Sequence, residues 1–206
     1  MIPLILVGGG GHCASVIDVA LSTKKFRIIG ILDKEEKVGS SLMGIPIIGT
    51  DKMIEDCVKK DYFFIVTVGQ IKSPKARIEI VKKIEQANAK FATIISPNSI
   101  IANEVEIGEG TVIHHGGVIN SLTKIGRHCI VNSMALIEHG VFVGDFCHLS
   151  TRITINGDCV LGKNVFIGSG SAISNQIDIG DDVIVGMGSV VLKEIGNNKK
   201  VIGLWN

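Results

Sequence analysis

Ile137-Glu138-His139-Gly140-Val141-Phe142-Val143-Gly144-Asp145-Phe146-Cys147-His148-Leu149 places an aliphatic side chain at 137, 143 and 149, and the same spacing runs on in both directions. Stepping by six from Ile101 gives Ile107, Ile113, Ile119, Ile125, Val131, Ile137, Val143, Leu149, Ile155, Leu161, Ile167, Ile173, Ile179, Val185 and Val191. A period of six held this long fits neither a helix nor a simple alternating strand; it is the mark of a solenoid. Three hexads close one coil of triangular section, so residues eighteen apart stack one above another. The span 101–191 then predicts about five coils, rising roughly 4.8 Å each to about 24 Å. Four positions after the apolar residue sit mostly small or β-branched side chains, among them Thr111, Thr123, Cys129, Ala135, Cys147, Cys159, Val165, Ser171 and Ser189. One large aliphatic and one smaller residue per side would fill a narrow interior. Gly directly follows the apolar position at 108, 126, 144, 162, 168, 180 and 186, and Asn at 120, 132 and 156. Both residues tolerate turn conformations, so these positions are expected to make the corners.

Composition agrees with that reading and excludes several classes. The 206 residues include 34 Ile, 21 Val and 25 Gly, against one Trp, one Tyr and seven Phe. A narrow core has little room for rings. Lys plus Arg (21) balance Asp plus Glu (20), so no electrostatic footprint for nucleic acid or an anionic membrane surface is expected. The sequence has no apolar run of about 18 residues, which argues against a membrane span. The apolar start, residues 1–7, lacks a basic leader and is read as a first strand. Five cysteines without a Cys-x-x-Cys pair fit reduced thiols and a cytoplasmic location, and no metal site is expected.

The first half reads differently. Leu4–Val7 is a buried-strand run ending in Gly8-Gly9-Gly10-Gly11, and a helix is expected over 14–20. Arg27–Leu32 followed by Asp33 completes a βαβ unit with an acid after its second strand. Tyr62–Val68 is a third strand, and a helix follows over 73–86. The segment 33–51, broken by Gly39, Gly44, Pro46 and Gly49, is expected to be a loop. The architecture is therefore an N-terminal α/β domain, a Rossmann-like βαβ half over 1–95, followed by a parallel β-helix over 96–206. The glycine run matches only two of the three glycines of a dinucleotide fingerprint. Its N–H groups either approach a phosphate or sugar at a helix N-terminus or simply form a tight turn. His12 either reaches such a ligand or caps the helix, and Asp33 either accepts from a ribose or base edge or is a solvated turn acid.

Five of the six histidines fall in the repeat: His114, His115, His128, His139 and His148. Near neutral pH an imidazole is a natural general base. Gly157 stacks one coil above His139, and His148, nine residues on, is expected on the next side of the triangle. A base, a backbone N–H one coil away and a second imidazole suit acyl transfer, where a preorganised donor meets the oxyanion.

These residues together resemble the NeuD and PglD group of bacterial sugar acetyltransferases: the glycine turn with histidine, the acid after strand two, the hexapeptide domain and Ile-Glu-His near its middle. The resemblance covers nearly all of the chain. It implies a left-handed parallel β-helix, a homotrimer with active sites between subunits, and acetyl-CoA lying along the solenoid. It further implies His139 as catalytic base, His148 near the acetyl group and the Gly157 N–H as donor to the thioester carbonyl. Gly168, Ser169, Gly186 and Gly203 match the coenzyme groove, and Gly10, Gly11, His12 and Asp33 match the end that holds a nucleotide-linked amino sugar, expected to be of the UDP-4-amino-sugar type. The chain departs from the pattern twice. Gly140 stands where the group usually has Asp or Glu after the histidine. Glu138 is expected to point to the opposite face of its strand, which leaves a residue such as Asp145, or none, for that role. The end, Gly203-Leu204-Trp205-Asn206, replaces Gly-x-Pro-Ala, with Trp205 either stacking on an adenine or capping the core.

Other readings compete with N-acetylation. O-acetylation of a sialic-acid-like sugar uses the same apparatus, and a non-catalytic trimeric binding solenoid is favoured by Gly140. A zinc carbonic anhydrase shares the solenoid but needs a close histidine pair of His-x4-His spacing that this sequence lacks.

Overall fold

Leu4, Ile5 and Leu6 are consecutive in sequence and all fully buried. That is the signature of a central parallel strand covered on both faces rather than of an alternating one. In the computed structural model, which describes residues 1–70 and 73–206, they lie in β1 (Ile2–Val7). The chain divides into two units, Met1–Ile95 and Ser96–Asn206.

In the first unit β1 is followed by α1 (Gly11–Ser22) and β2 (Phe26–Leu32). Next come β3 (Ser41–Leu42), β4 (Ile45–Gly49), α2 (Ile54–Lys59), β5 (Phe63–Val66), α3 (Lys75–Gln86) and β6 (Lys90–Phe91). The sheet order is β3-β4-β2-β1-β5-β6. All neighbours are parallel except the β3–β4 hairpin. The chain leaves β1 toward β2 on one side and returns to β5 on the other, so the strand order reverses at β1, where α/β sheets place their ligand crevice. The expectation of a loop over 33–51 is corrected. Ile47 pairs in parallel with Ile31, and Gly30 leaves room for Ile48, whose side chain a Cβ at 30 would meet at 2.7 Å. Pro46 is confined to the edge hairpin, where its missing N–H costs no central ladder bond.

The second unit is built of two-residue strands on three faces. Face I begins with Ile100–Ile101 and carries Leu136–Ile137, Thr154–Ile155 and finally Leu204–Trp205. Face II runs from Glu106–Ile107 through Phe142–Val143 to Asp178–Ile179, and face III includes Val112–Ile113, His148–Leu149 and Lys200–Val201. Every neighbour is parallel and eighteen residues away through most of the stack, as in the row Ile119, Ile137, Ile155, Ile173, Val191. This is the left-handed parallel β-helix of the sequence reading. From Ile113 onward the aliphatic row is buried, and so is the smaller row with Cys129, Cys147 and Cys159. The last coil is short: Leu204 pairs with Val190 and Trp205 with Val191. Trp205 thus extends the interior row and closes the core. Its Nε1 donates to Glu194 O (3.1 Å), and Lys193 Nζ sits 5.3 Å from the ring centroid.

The corners differ from the expectation in one respect. The left-handed residue is the third after each aliphatic, not the first: Glu104, Leu122, Phe146, Arg152 and Asp158 have φ of 60°, 65°, 59°, 55° and 60°. The glycines directly after the aliphatic have another cause. A Cβ at Gly108 would lie 2.6 Å from Gly126 C, one at Gly126 2.8 Å from Gly144 C, and one at Gly144 2.6 Å from Gly162 O. Successive coils approach so closely at the corner between faces II and III that only a hydrogen fits.

Candidate functional site

Leu136–Ile137 ends face I, and the chain turns at Glu138, His139 and Gly140 before face II resumes. His139 is therefore a corner residue, projecting to solvent with 60% of its side chain exposed. Its ring lies over Gly157: a Cβ there would come within 2.7 Å of both Cε1 and Nε2. Glycine at 157 thus leaves free the space that the His139 ring occupies. Gly157 O accepts from Gln176 N (2.9 Å), while among the described residues the Gly157 N–H meets no acceptor. An exposed imidazole beside an unengaged backbone donor is the arrangement the column arithmetic predicts.

Glu138 does not point away, because the strand is only two residues long and the alternation rule stops at the turn. Its Oε2 lies 3.7 Å from His139 Nδ1 and accepts from Asn120 Nδ2 at 2.9 Å. Asp145, the suggested alternative, stands at the corner between faces II and III and accepts from Arg127 N (2.8 Å). Gly140 has φ +66°, and the place of a Cβ there is taken by the Asp158 carboxylate.

His148 is not on the side of the triangle next to His139's corner. It begins the face III strand, with the whole of face II between them, and is 6% exposed. Asn132 Nδ2 is hydrogen-bonded to its Nε2 at 2.7 Å, and the Phe166 ring meets it edge-on at 5.2 Å. Gly168, Ser169 and Gly186 lie at the following corner, between faces III and I, and Gly203 (φ +79°) stands in its last, shortened turn. The predicted residues thus fall in separate places: His139 with Gly157 at the corner between faces I and II, His148 on face III, and Gly168, Ser169, Gly186 and Gly203 at the corner between faces III and I.

Gly168 is explained by packing, since a Cβ would lie 2.7 Å from Gly186 C. Gly170 and Gly188, which the sequence reading passed over, are not. Their Cβ positions are open, so crowding does not demand glycine there, and the same column holds Met134 and Arg152 at like φ, so the left-handed backbone favours glycine without requiring it. Their effect is to leave one column of this corner without side chains in the later coils, next to a column that holds Thr151, Ser169 and the exposed Met187, with Thr151 Oγ1 and Ser169 Oγ 3.0 Å apart. A column without side chains fits an extended pantetheine-type chain. Comparing columns at eighteen-residue spacing would have found it.

In the first unit Asp33 ties the glycine turn to β2. Its Oδ2 accepts from Gly9 N (2.7 Å) and Lys37 Nζ (2.8 Å), and its Oδ1 from Lys34 N (2.8 Å). Burial pushes the carboxyl upward, but Lys37 and the two backbone donors outweigh it and hold Asp33 below the usual carboxylate range. Gly8 (φ +107°) and Gly9 are fixed by close neighbours, Val68 and Asp33, whereas Cβ positions at Gly10 and Gly11 are open. His12, half-buried, follows them at the start of α1. A cleft of about 580 Å³ opens at the carboxyl ends of β1 and β2, lined by Val7, Leu32, Asp33, Thr50, Val68 and Ile80 among others. That volume suits a small organic ligand. Of the four predicted residues only Asp33 lines it; Gly10, Gly11 and His12 stand at the helix N-terminus.

Among the described residues no group of three or more His, Cys, Asp or Glu could hold a metal ion, and no helix is long and apolar enough to cross a membrane.

Comparison with known proteins bears on both units. Residues 3–84 match the PglD N-terminal domain and residues 158–193 the bacterial transferase hexapeptide (six repeats). No curated protein matches the chain significantly. Among solved structures, PerB from Caulobacter crescentus, in complex with CoA and GDP-perosamine, is 25% identical with a TM-score of 0.90, covering 98% of this chain and 94% of its own. The acetyltransferase domain of PglB from Neisseria gonorrhoeae is 24% identical, with a TM-score of 0.89 and coverage of 98% and 97%. WeeI from Acinetobacter baumannii is 22% identical, with a TM-score of 0.71 and coverage of 98% and 97%. These two share the fold.

Proposed function

We propose that this chain, matched by the PglD N-terminal domain over residues 3–84 and by the bacterial transferase hexapeptide over residues 158–193, is an acetyl-CoA-dependent N-acetyltransferase acting on a nucleotide-linked amino sugar in the cytoplasm. The observation that carries this reading is the exposed His139 ring against Gly157, whose N–H meets no acceptor among the described residues. PerB, at 25% identity, is bound to CoA and a GDP-linked sugar, which supports a nucleotide-linked acceptor and widens the choice of nucleotide beyond uridine.

Acetyl-CoA supplies the acyl group as an activated thioester, and the glycine-rich corner through Gly168, Gly170, Gly186 and Gly188 would hold its extended arm. His139 accepts the proton that the acceptor amine loses as its nitrogen bonds to the acyl carbon. The Gly157 N–H donates to the oxygen on which negative charge develops, a fixed dipole that needs no reorganisation during the step. As the carbon–sulfur bond breaks, the imidazolium returns its proton to the departing thiolate. The cleft beside Asp33 and the open turn at Gly10, Gly11 and His12 would hold the nucleotide end.

His139 and His148 stand in separate places on one chain, so their joint use requires a second copy. We accordingly place the active site between neighbouring subunits of a trimer. The test is thiol release from acetyl-CoA with uridine- and guanosine-linked amino sugars and with sialic acids. Turnover of an amino sugar, falling at least roughly 100-fold in kcat in His139→Ala, is expected. Turnover of a hydroxyl acceptor alone would favour O-acetylation, and unchanged turnover in His139→Ala would remove the base assignment.

A further inference from the structure

Glu138 is held in place at every polar group. Its N–H donates to Ile155 O (2.9 Å), its carbonyl accepts from Thr123 Oγ1 (2.7 Å), and its carboxylate accepts from Asn120 Nδ2 (2.9 Å) one coil earlier. The oxygen that Asn120 holds is the one 3.7 Å from His139 Nδ1. The glutamate is the more sheltered of the pair, 32% exposed against 60% for the histidine. A fixed carboxylate beside a freer ring is the arrangement that makes the acid orient the base, not the reverse.

The neighbouring positions leave this task to Glu138. Gly140 carries no side chain, and the carboxylate of Asp158 fills the space one would need. Asp158 N–H donates to His139 O (3.0 Å), which fixes the backbone of the histidine rather than its ring.

We propose that Glu138, clamped by Asn120, is the positioning residue for His139: it accepts a hydrogen bond from Nδ1–H and so keeps the Nε2 lone pair available to the acceptor. The assignment rests on His139 being the base of the proposed acetyl transfer. The 3.7 Å separation exceeds a hydrogen bond, as catalytic contacts often do before substrate binds, and a small rotation of the exposed ring closes it. A carboxylate on one nitrogen of an imidazole sets which tautomer the other presents.

The experiment pairs ring ¹⁵N NMR, with the His139 signals assigned by their loss in His139→Ala, with kinetics of Glu138→Gln, Glu138→Asp and Asn120→Ala. Glu138→Gln keeps the shape and can still accept from Asn120, so it removes charge without emptying the site. In the parent at mildly alkaline pH the His139 proton is expected on Nδ1. In Glu138→Gln and Asn120→Ala it should redistribute toward Nε2. For Glu138→Gln, kcat should fall roughly 10- to 100-fold with both KM values within about twofold, and Glu138→Asp should recover part of the loss. A parent ring protonated on Nε2, or a Glu138→Gln enzyme with unchanged tautomer and unchanged kcat, overturns the proposal. A tautomer that depends on Glu138 in a protein that acetylates no acceptor upholds the clamp and sinks the acetyl-transfer reading, so the two fail separately.

Discussion

At Gly157 a hydrogen decides where an imidazole can lie. An added methyl would sit 2.7 Å from His139 Cε1 and Nε2, closer than van der Waals contact allows. The ring is exposed and can swing away, so the backbone need not yield. Gly157→Ala should therefore leave the melting temperature nearly unchanged and lower kcat by roughly 100-fold, the scale expected when a catalytic group moves by about 1 Å. Thermal denaturation and steady-state kinetics on one preparation check both halves; equal loss of stability and rate would mean the backbone had moved instead. The pairing of 139 with 157 was legible in sequence because a strict period turns a difference of eighteen into a vertical neighbour. The role of Glu138 was not. Alternation of side chains presumes that a strand continues, and here it stops at Ile137, so the next residue follows the corner. The latch on Asp33 was likewise invisible, since Lys37 reaches it from the 3-10 turn at Glu35–Lys37, in a stretch whose glycines and proline read as loop.

One hexad is too small to have a core of its own; it acquires one by stacking. Each buried aliphatic contributes on the order of 1.5–3 kcal/mol relative to exposure, and the interior thiols serve the same end. Burial pushes Cys147 well above the ordinary thiol range and Cys159 upward as well, which keeps them protonated and inert at neutral pH. The corners run two opposite constraints. Gly144 must lack a side chain because Gly162 O would be 2.6 Å from its Cβ. Leu122 bears one in the left-handed region, at φ 65°, where glycine is more at ease. Gly144→Ala should destabilise by about 1–3 kcal/mol through overpacking. Leu122→Gly should stabilise by about 0.5–1 kcal/mol, the left-handed penalty less the entropy of a more flexible unfolded chain. Denaturant titration of the two variants should show opposite displacements from the parent; displacements of the same sign would mean the corner strain lies elsewhere. The sequence told where the corners are but assigned their glycines to the wrong cause, because stacking distance between coils is a tertiary quantity that no hexad contains.

Taken whole, the chain presents its candidate residues in separate places. The His139 corner and the His148 face can serve one reaction only if different copies meet, a relation no single-chain sequence or fold displays. Mixing two inactive variants tests it. Co-refolded His139→Ala and His148→Ala chains should regain roughly a quarter of parental activity, since about that fraction of junctions then joins an intact His139 to an intact His148. Each variant alone should stay inactive, and a mixture as inactive as its components would place both imidazoles in the same chain's site; a variant active by itself would show that its histidine is idle. The uniform register has a last consequence, for how such a molecule tolerates change in length. Eighteen extra residues added beyond Gly157 would lengthen the prism by one storey and leave every later side chain above its old position. Six added between His139 and Gly157 would turn everything downstream through a third of a revolution, carrying the N–H donor to another edge while the core row stayed intact. Such a protein would fold and melt much as before with its chemistry dismantled. Insertions are thus filtered by divisibility: multiples of six preserve the fold, and only multiples of eighteen preserve the alignment of its edges.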